Sequence, residues 1–442
     1  MAAFKRPARG LVWFALGVVV MLLAVSFQSL LSRQDDELEP GEIVVLTGAD
    51  DSVGGQRQQL IKEWNDDHPD NPARLESLSS EADRQHSEMV ARAQSGTSGV
   101  DVYNLDVTWV AEFAAARFIQ PLDDSVSTEG FLAKPLATCR FEDKLWALPF
   151  NTDAALLYYR TDLVPDAEGL PSRLPPSEAE MRALATAGGG KLKAGYVGQL
   201  GHYEGLTVNA LEVIWANGGD VVDADGRVVI DSEAAREGLR QLAQGMASAG
   251  SLPPAVLPTS RSFIEKNSTD AFRAGDVALM RNWPVAYGQL RGGGQDKAAA
   301  NFDISNKFGV TRLPGGPSVL GGQNLAISSG TTRPRAAREL IEFLTSEGSQ
   351  RRLFGDGGLP ATRAAAYNDP TVREARPYAD ALLDAVSNAR PRPLTTHYAL
   401  FTSVFQEVVF EALTPGRTAE EQGRLPDNAV SRLTDALQGR LR

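Results

Sequence analysis

Lys144–Arg160 reads KLWALPFNTDAALLYYR. Two apolar, strand-like halves flank a polar triplet, Asn151-Thr152-Asp153. A strand buried on both faces reads as a continuous apolar run. A polar triplet inside such a run marks a backbone crossing between two packed lobes. Working outward, Glu42–Thr47 reads as a buried strand and Gln56–Asn65 as a helix with Leu60, Ile61 and Trp64 on one face. The unit repeats. Strands are expected at Ala73–Leu78 and Val100–Leu105, and helices at Glu81–Gln94 and Val107–Phe118. Alternating β and α elements predict an α/β protein with a largely parallel sheet covered on both faces, which binds ligands at the carboxyl ends of its strands. Asp50, Asp51 and Asp106 lie just past such ends. Further on, strands are expected at Asp276–Arg281 and Leu325–Ser328. Helices are expected at Ser232–Met246, Ser260–Arg273, Ala336–Leu344, Val372–Val386, Tyr398–Leu413 and Thr418–Leu437.

The chain has 442 residues, room for about two or three domains, with 44 basic against 56 acidic residues and a net charge of −12. That charge argues against a nucleic-acid binder. Lys5, Arg6 and Arg9 precede an apolar run, Leu11–Leu31, in which seventeen of 21 residues are apolar. As a helix it would span about 31 Å, enough for a bilayer core, and its basic flank orients the remainder outward. Two readings stand: an uncleaved anchor, which fits the length, and a cleaved signal peptide with Ala24-Val25-Ser26 as its site. A lipid anchor needs a cysteine just after the run, and the single cysteine is Cys139.

The search for catalytic motifs is mostly negative. Gly188-Gly189-Gly190-Lys191 lacks the rest of a phosphate loop, and no GxSxG occurs. His68, His86, His202 and His397 stand apart without HExxH. Cys139 reads as a packed thiol. Val221–Ile230 is a hairpin with an Asp-Gly turn, and its DxDG lacks the later ligands of a calcium loop. No metal ligand set is read. Carboxylates are plentiful, so composition leaves a glycosidase-like acid/base pair open. Trp64 reads as core. Trp109, Trp215 and Trp283 sit at element ends beside Asn or Asp, an arrangement that suits the apolar face and the hydroxyls of a sugar, although core packing is favoured for each taken alone.

Six stretches together resemble the extracellular solute-binding proteins of ABC importers, the group that binds maltose, trehalose and related sugars. They are NLDVTWVAEFAAARFIQPLDD (Asn104–Asp124), KLWALPFNTDAALLYYRTDLV (Lys144–Val164), YEGLTVNALEVIWANGGDVVDADG (Tyr203–Gly226), FRAGDVALMRNWPVAY (Phe272–Tyr287), LPGG with LGGQNLAIS (Leu313–Ser328) and ARPRP (Ala389–Pro393). They run in the family's order over nearly all of 41–440. The resemblance implies a two-lobed periplasmic-binding-protein-like fold with the ligand between the lobes. After a signal or anchor segment at 1–34, the N-terminal lobe would hold 41–150 and 322–346, and the C-terminal lobe 151–321 and 347–440.

The resemblance also implies a ligand set. Asp106 takes sugar hydroxyl protons, and Asn151 and Asp153 bond at the crossing. Trp283, with Tyr287, forms a stacking platform. Gly321 and Gly322 offer backbone groups, and Arg392 is a cationic clamp. Asp50 or Asp51 is a weaker match, because the family often carries Glu in that loop. No cofactor, enzymatic activity or nucleic-acid partner is implied. The implied partners are a carbohydrate (a disaccharide such as trehalose or maltose), the permease subunits, and the membrane through the N-terminal helix, at the outer face of the cytoplasmic membrane. A sensory binding protein on the same fold is the alternative, and an extracytoplasmic glycosidase a more distant one.

Overall fold

The computed structural model describes residue 21 and residues 38–79, 81–96, 99–247, 250–293, 304–414, 418 and 421–440. The run Leu11–Leu31 lies outside them, Met21 apart. Among the described residues no helix is long and apolar enough to cross a membrane.

Two sheets organise the chain. The first has strand order β2-β1-β3-β11-β6, built from β1 (Ile43–Thr47), β2 (Ala73–Ser77), β3 (Val102–Asp106), β6 (Leu148–Ala154) and β11 (Leu320–Ile327). Every residue of β1 is buried, as expected of a strand with helices on both faces. The second has order β10-β7-β9-β8, from β7 (Leu156–Arg160), β8 (Ala194–Val197), β9 (Val277–Asn282) and β10 (Phe308–Arg312). A small hairpin pairs β4 (Arg140–Phe141) with β5 (Lys144–Leu145).

The Lys144–Arg160 stretch does divide between layers. β6 belongs to the first sheet and β7 to the second, with Ala155 alone between them. The expectation of a largely parallel arrangement needs correction. β1 is parallel to β2 and β3, but β11 runs antiparallel to both β3 and β6. In the second sheet β8 and β9 are parallel, while β7 is antiparallel to β9 and β10. Parallel neighbours need a helical crossover. β7 continues β6 as one ribbon and β11 returns directly from β10 to the first sheet, so β7 and β11 are the strands of reversed sense, while β6 keeps the sense of β1–β3.

Several helices are shorter than their sequence patterns. Val107–Phe118 narrows to Val110–Ala115, because Asp106 accepts from the Thr108 N–H and hydroxyl and holds a turn ahead of it. Ser260–Arg273 divides into a 3-10 turn, Pro258–Ser262, and a helix, Glu265–Arg273. Val372–Val386 becomes Pro370–Ala375 and Ala379–Asn388; Pro377 lacks the N–H that would continue the first. In Thr418–Leu437 the described helix is Ala429–Leu437. Trp64 is core as expected, stacked on His68 and donating from Nε1 to the Asn71 carbonyl at 2.8 Å.

The crossing is held by a buried polar knot. Glu212, on the helix Glu204–Ala216, accepts two hydrogen bonds from Arg281, both 2.9 Å. It also accepts from the Val319 N–H at 3.1 Å and the Ser318 hydroxyl at 3.2 Å. Ser318 Oγ in turn accepts from the Ala155 N–H at 2.6 Å. Arg390 N donates to the Ser318 carbonyl, and Leu320 N to the Arg390 carbonyl. Three passes of the chain therefore meet at Ser318–Val319, the segment that the Glu212 carboxylate holds.

Replacing Arg281 by Met leaves Glu212 buried without its counter-charge. It should lower folding stability by about 3–5 kcal/mol in urea titrations. Gly322 has φ +121, and a Cβ there would fall on the Asn151 carbonyl oxygen. Gly322→Ala should therefore cost about 2–3 kcal/mol in the same measurement.

Candidate functional site

The carboxyl ends of β1 and β3, the ribbon at Asn151–Asp153 and the start of β11 line one wall of a cleft. Trp283, just past β9, and the segment around Arg392 come from the opposite side. Asp106 and Arg392 meet directly across it: Arg392 Nη2 donates to Asp106 Oδ1 at 2.7 Å, and Nη1 to Glu204 Oε1 at 2.8 Å. Arg392 is 4% exposed. Burial works against its charge, but Asp106, Tyr398 and Glu204 more than offset that and hold the guanidinium above its ordinary range. Glu204 opens its helix and is itself fixed by the hydroxyls of Tyr398 at 2.5 Å and Thr402 at 2.6 Å. Beside this group lies a cavity of about 220 Å³ lined by His86, Asp106, Trp109, Glu204, Arg392 and Tyr398 among others.

A second group centres on Asp153. It faces Gly321 across the β6–β11 ladder, with Thr152 opposite Gly322 and Asn151 opposite Gln323. Asn151 Nδ2 donates to Asp153 Oδ2 at 3.2 Å. Burial pushes the Asp153 carboxyl up to about 7, against the pull of Arg57 and of the Asn151 amide; the like charge of Asp106 adds to the rise, and Arg281 opposes it. Gly321 leaves room for the Trp283 ring: a Cβ there would sit 3.4 Å from the ring and 3.2 Å from the Asp153 Cβ. Trp283 is half-buried. The Arg281 guanidinium lies over its ring, 4.0 Å from the centroid, and its Nε1 donates to Glu265 Oε1 at 3.3 Å. The knot at Glu212 thus also backs the aromatic platform.

The other expected positions divide. Asp50 is committed to local structure: its carboxylate accepts from the Ser52 N–H and hydroxyl and from the Arg57 and Gln58 N–H groups, closing the start of the helix Gln56–Asp67. Asp51 is exposed, with Arg57 and Glu265 within electrostatic range. The Tyr287 ring packs on Phe308 and Tyr378, at centroid distances of 5.5 and 4.8 Å, in the second sheet's core. The single turn Ala286–Gly288 carries it there.

Sequence reasoning missed Arg57, Glu204, Glu212 and Gln323. Arg57 lies within a helix with no motif around it, and Glu212 within the quoted Tyr203–Gly226 stretch, where it was not singled out. Glu204 stands in the quoted YEGLTVN stretch, and Gln323 directly follows Gly321-Gly322, so their signal was adjacency alone. Cys139 is buried, and burial pushes its thiol well up, away from nucleophilic chemistry.

The folded state favours protonated Asp153, because its pKa exceeds the roughly 3.9 of an unfolded Asp. The associated stability is fully present below that value and is lost as pH rises through about 7. Melting curves from pH 4 to 8 should show the wild type losing stability relative to Asp153→Asn as pH increases; parallel curves would remove this titration.

The model of the family described as bacterial extracellular solute-binding protein matches residues 50–351. A Deinococcus radiodurans protein named "Probable ABC transporter-binding protein" is 32% identical over 390 residues, 84% of this chain and 89% of that protein. A Sinorhizobium fredii protein named "Probable amino-acid ABC transporter periplasmic-binding protein" is 25% identical over 359 residues, 77% of this chain and 79% of its own. Among solved structures, maltose-bound MalE3 of T. maritima matches with a TM-score of 0.77 and 29% identity, covering 90% of this chain and 99% of that one. With its two-sheet α/β fold and interlobe cleft, the chain belongs to the bacterial extracellular solute-binding proteins, the substrate-binding, non-enzymatic components of ABC transporters.

Proposed function

We propose that the cleft binds a carbohydrate, a disaccharide of the maltose or trehalose kind, and that the protein delivers it to permease subunits. The carrying observation is the half-buried Trp283 ring, backed by Arg281 and set against Gly321 and the Asp153 carboxylate. A pyranose presents an apolar C–H face to such a ring and hydroxyls to the carboxylates and amides around it. Asp106, Asn151, Asp153, Trp283, Gly321, Gly322 and Arg392 are the contacts of this reading, with Asp51 at the mouth. Tyr287 and Asp50 would act only indirectly, through the core and the loop they hold. The likeness to a maltose-bound protein supports the ligand class.

In this reading the lobes close by rotating about the passes near Ala155, Val319 and Arg390. Closure excludes water and strengthens each hydrogen bond to the sugar. The N-terminal lobe holds 41–154 and 320–346, because β6 runs to Ala154 and β11 starts at Leu320 in the first sheet, past the expected bounds of 150 and 322; the C-terminal lobe holds 155–319 and most of 347–440. The helix Glu347–Gly355 moves with the N-terminal lobe, since Arg352 bonds Gln56 at 3.0 Å and Glu63 at 2.8 Å. The segment Leu11–Leu31 tethers the protein to the outer face of the cytoplasmic membrane.

A thermal-shift panel of sugars, polyols and amino acids tests the ligand class. A sugar at 100 times its dissociation constant should add about 2.7 kcal/mol of stability. A response confined to amino acids would reject a carbohydrate ligand. Trp283→Ala should weaken the responding sugar at least tenfold, about 1.4 kcal/mol, by calorimetry; an unchanged affinity takes the ring out of the site.

A further inference from the structure

Arg57 follows β1 on the helix Gln56–Asp67 and is 5% exposed. Its guanidinium bonds only neutral oxygens among the described residues. Nη2 donates to Gln323 Oε1 at 3.0 Å and to Asn151 Oδ1 at 3.4 Å, and Nη1 to Thr47 Oγ1 at 3.5 Å. Phe150 lies under it, with its ring centroid 5.4 Å away. A buried cation without a directly bonded carboxylate is costly, so its presence calls for an effect that an apolar residue could not supply.

That effect is on two amides. An amide can point either end toward a neighbour, and arginine only donates. Asn151 and Gln323 must therefore both turn their carbonyl oxygens to Arg57. For Gln323 the choice is doubly fixed, because Asn104 Nδ2 also donates to its Oε1, at 2.9 Å. The NH2 ends then face the other way. That of Asn151 reaches Asp153. That of Gln323 has no hydrogen-bond partner among the described residues, on a half-buried side chain set opposite Asp106 and Asn151 in the ladders.

We propose that Arg57 is a positioning residue: by holding the oxygens of Asn151 and Gln323 it turns their NH2 groups toward Asp153 and the cleft, and makes Gln323 a donor to an oxygen of the ligand. The part concerning Gln323 as a ligand contact rests on the carbohydrate reading; the orientation of the amides does not. The charged and titratable groups facing Asp153 are Arg57, Asp106, Arg281 and the phenols of Tyr158, Tyr367 and Tyr378. Of these, only Arg57 reaches it through an intervening amide.

The experiment is a double-mutant cycle read on the Asp153 carboxyl carbon, followed by NMR against pH in the full-length protein with no sugar added and assigned by its loss in Asp153→Asn. Arg57→Met should raise the midpoint by about one unit or more. The same substitution made in Asn151→Ala should raise it by half as much or less, because the relay is already cut. Arg57→Gln, neutral and polar, replaces Arg57→Met where the latter does not fold. An unmoved midpoint, or an equal shift in both backgrounds, overturns the proposal. Because no sugar enters the cycle, an empty ligand panel would reject the carbohydrate reading without altering what the midpoints say about Arg57. Within that reading, Gln323→Leu should weaken a responding sugar by about tenfold, and an unchanged affinity would remove Gln323 as a contact.

Discussion

The cleft depends on the buried carboxylate of Glu212. It gathers Arg281 from the second sheet, Ser318 and Val319 from the returning chain and, through Ser318, Ala155 from the outgoing one. A lone charge in that position would be strongly disfavoured. Here the two-fold bond to Arg281 and the neutral donors satisfy it. Because the passes meet at one point, the two sheets are connected through a small region of fixed geometry. Because Arg281 also lies over Trp283, the same interaction that joins the sheets sets the tilt of the aromatic ring.

Around that anchor the cleft walls carry different chemistry. On one side the guanidinium of Arg392 is paired with carboxylates from both directions through its two terminal nitrogens. On the other, Arg57 is surrounded by neutral oxygens, and its carboxylate neighbours act through space or through an amide. The first arrangement cancels charge; the second orients dipoles. Asp153 lies between them. Its raised pKa follows from burial without a directly bonded cation, since Arg57 acts on it only through space and through Asn151.

Much of the fold was legible because periodicity reports burial. β1, the helix Gln56–Asp67 and the divided ribbon 144–160 were readable from apolar runs and their interruption. β11 was legible only from Leu325, since Gly321, Gly322 and Gln323 break the apolar signal where the strand approaches the cleft. The site was less legible. A carboxylate past a strand end looks the same whether it closes a helix, as Asp50 does, or bonds across a cleft, as Asp106 does. Tyr287 follows Trp283 closely in sequence, yet one helical turn aims it at the core. The Thr47 hydroxyl beside Arg57 apart, Arg57, Glu204 and Glu212 act through partners 69 or more positions away in sequence, a relation that local pattern does not carry.

The direct bond between Asp106 and Arg392 has a consequence for selection among solutes. Each group is already the other's partner, so a solute that engages them competes with an internal occupant of the same chemistry. Its apparent affinity is discounted by the stability of that occupant. On the proposed reading, a solute that takes only one half of the bond leaves the other half short of a partner, Arg392 keeping Glu204 and Asp106 the Thr108 donors, while one offering both a donor and an acceptor at the right spacing meets less opposition. If the solute binds at this pair, as proposed, the bond works as a threshold, and discrimination comes partly from what a solute must displace.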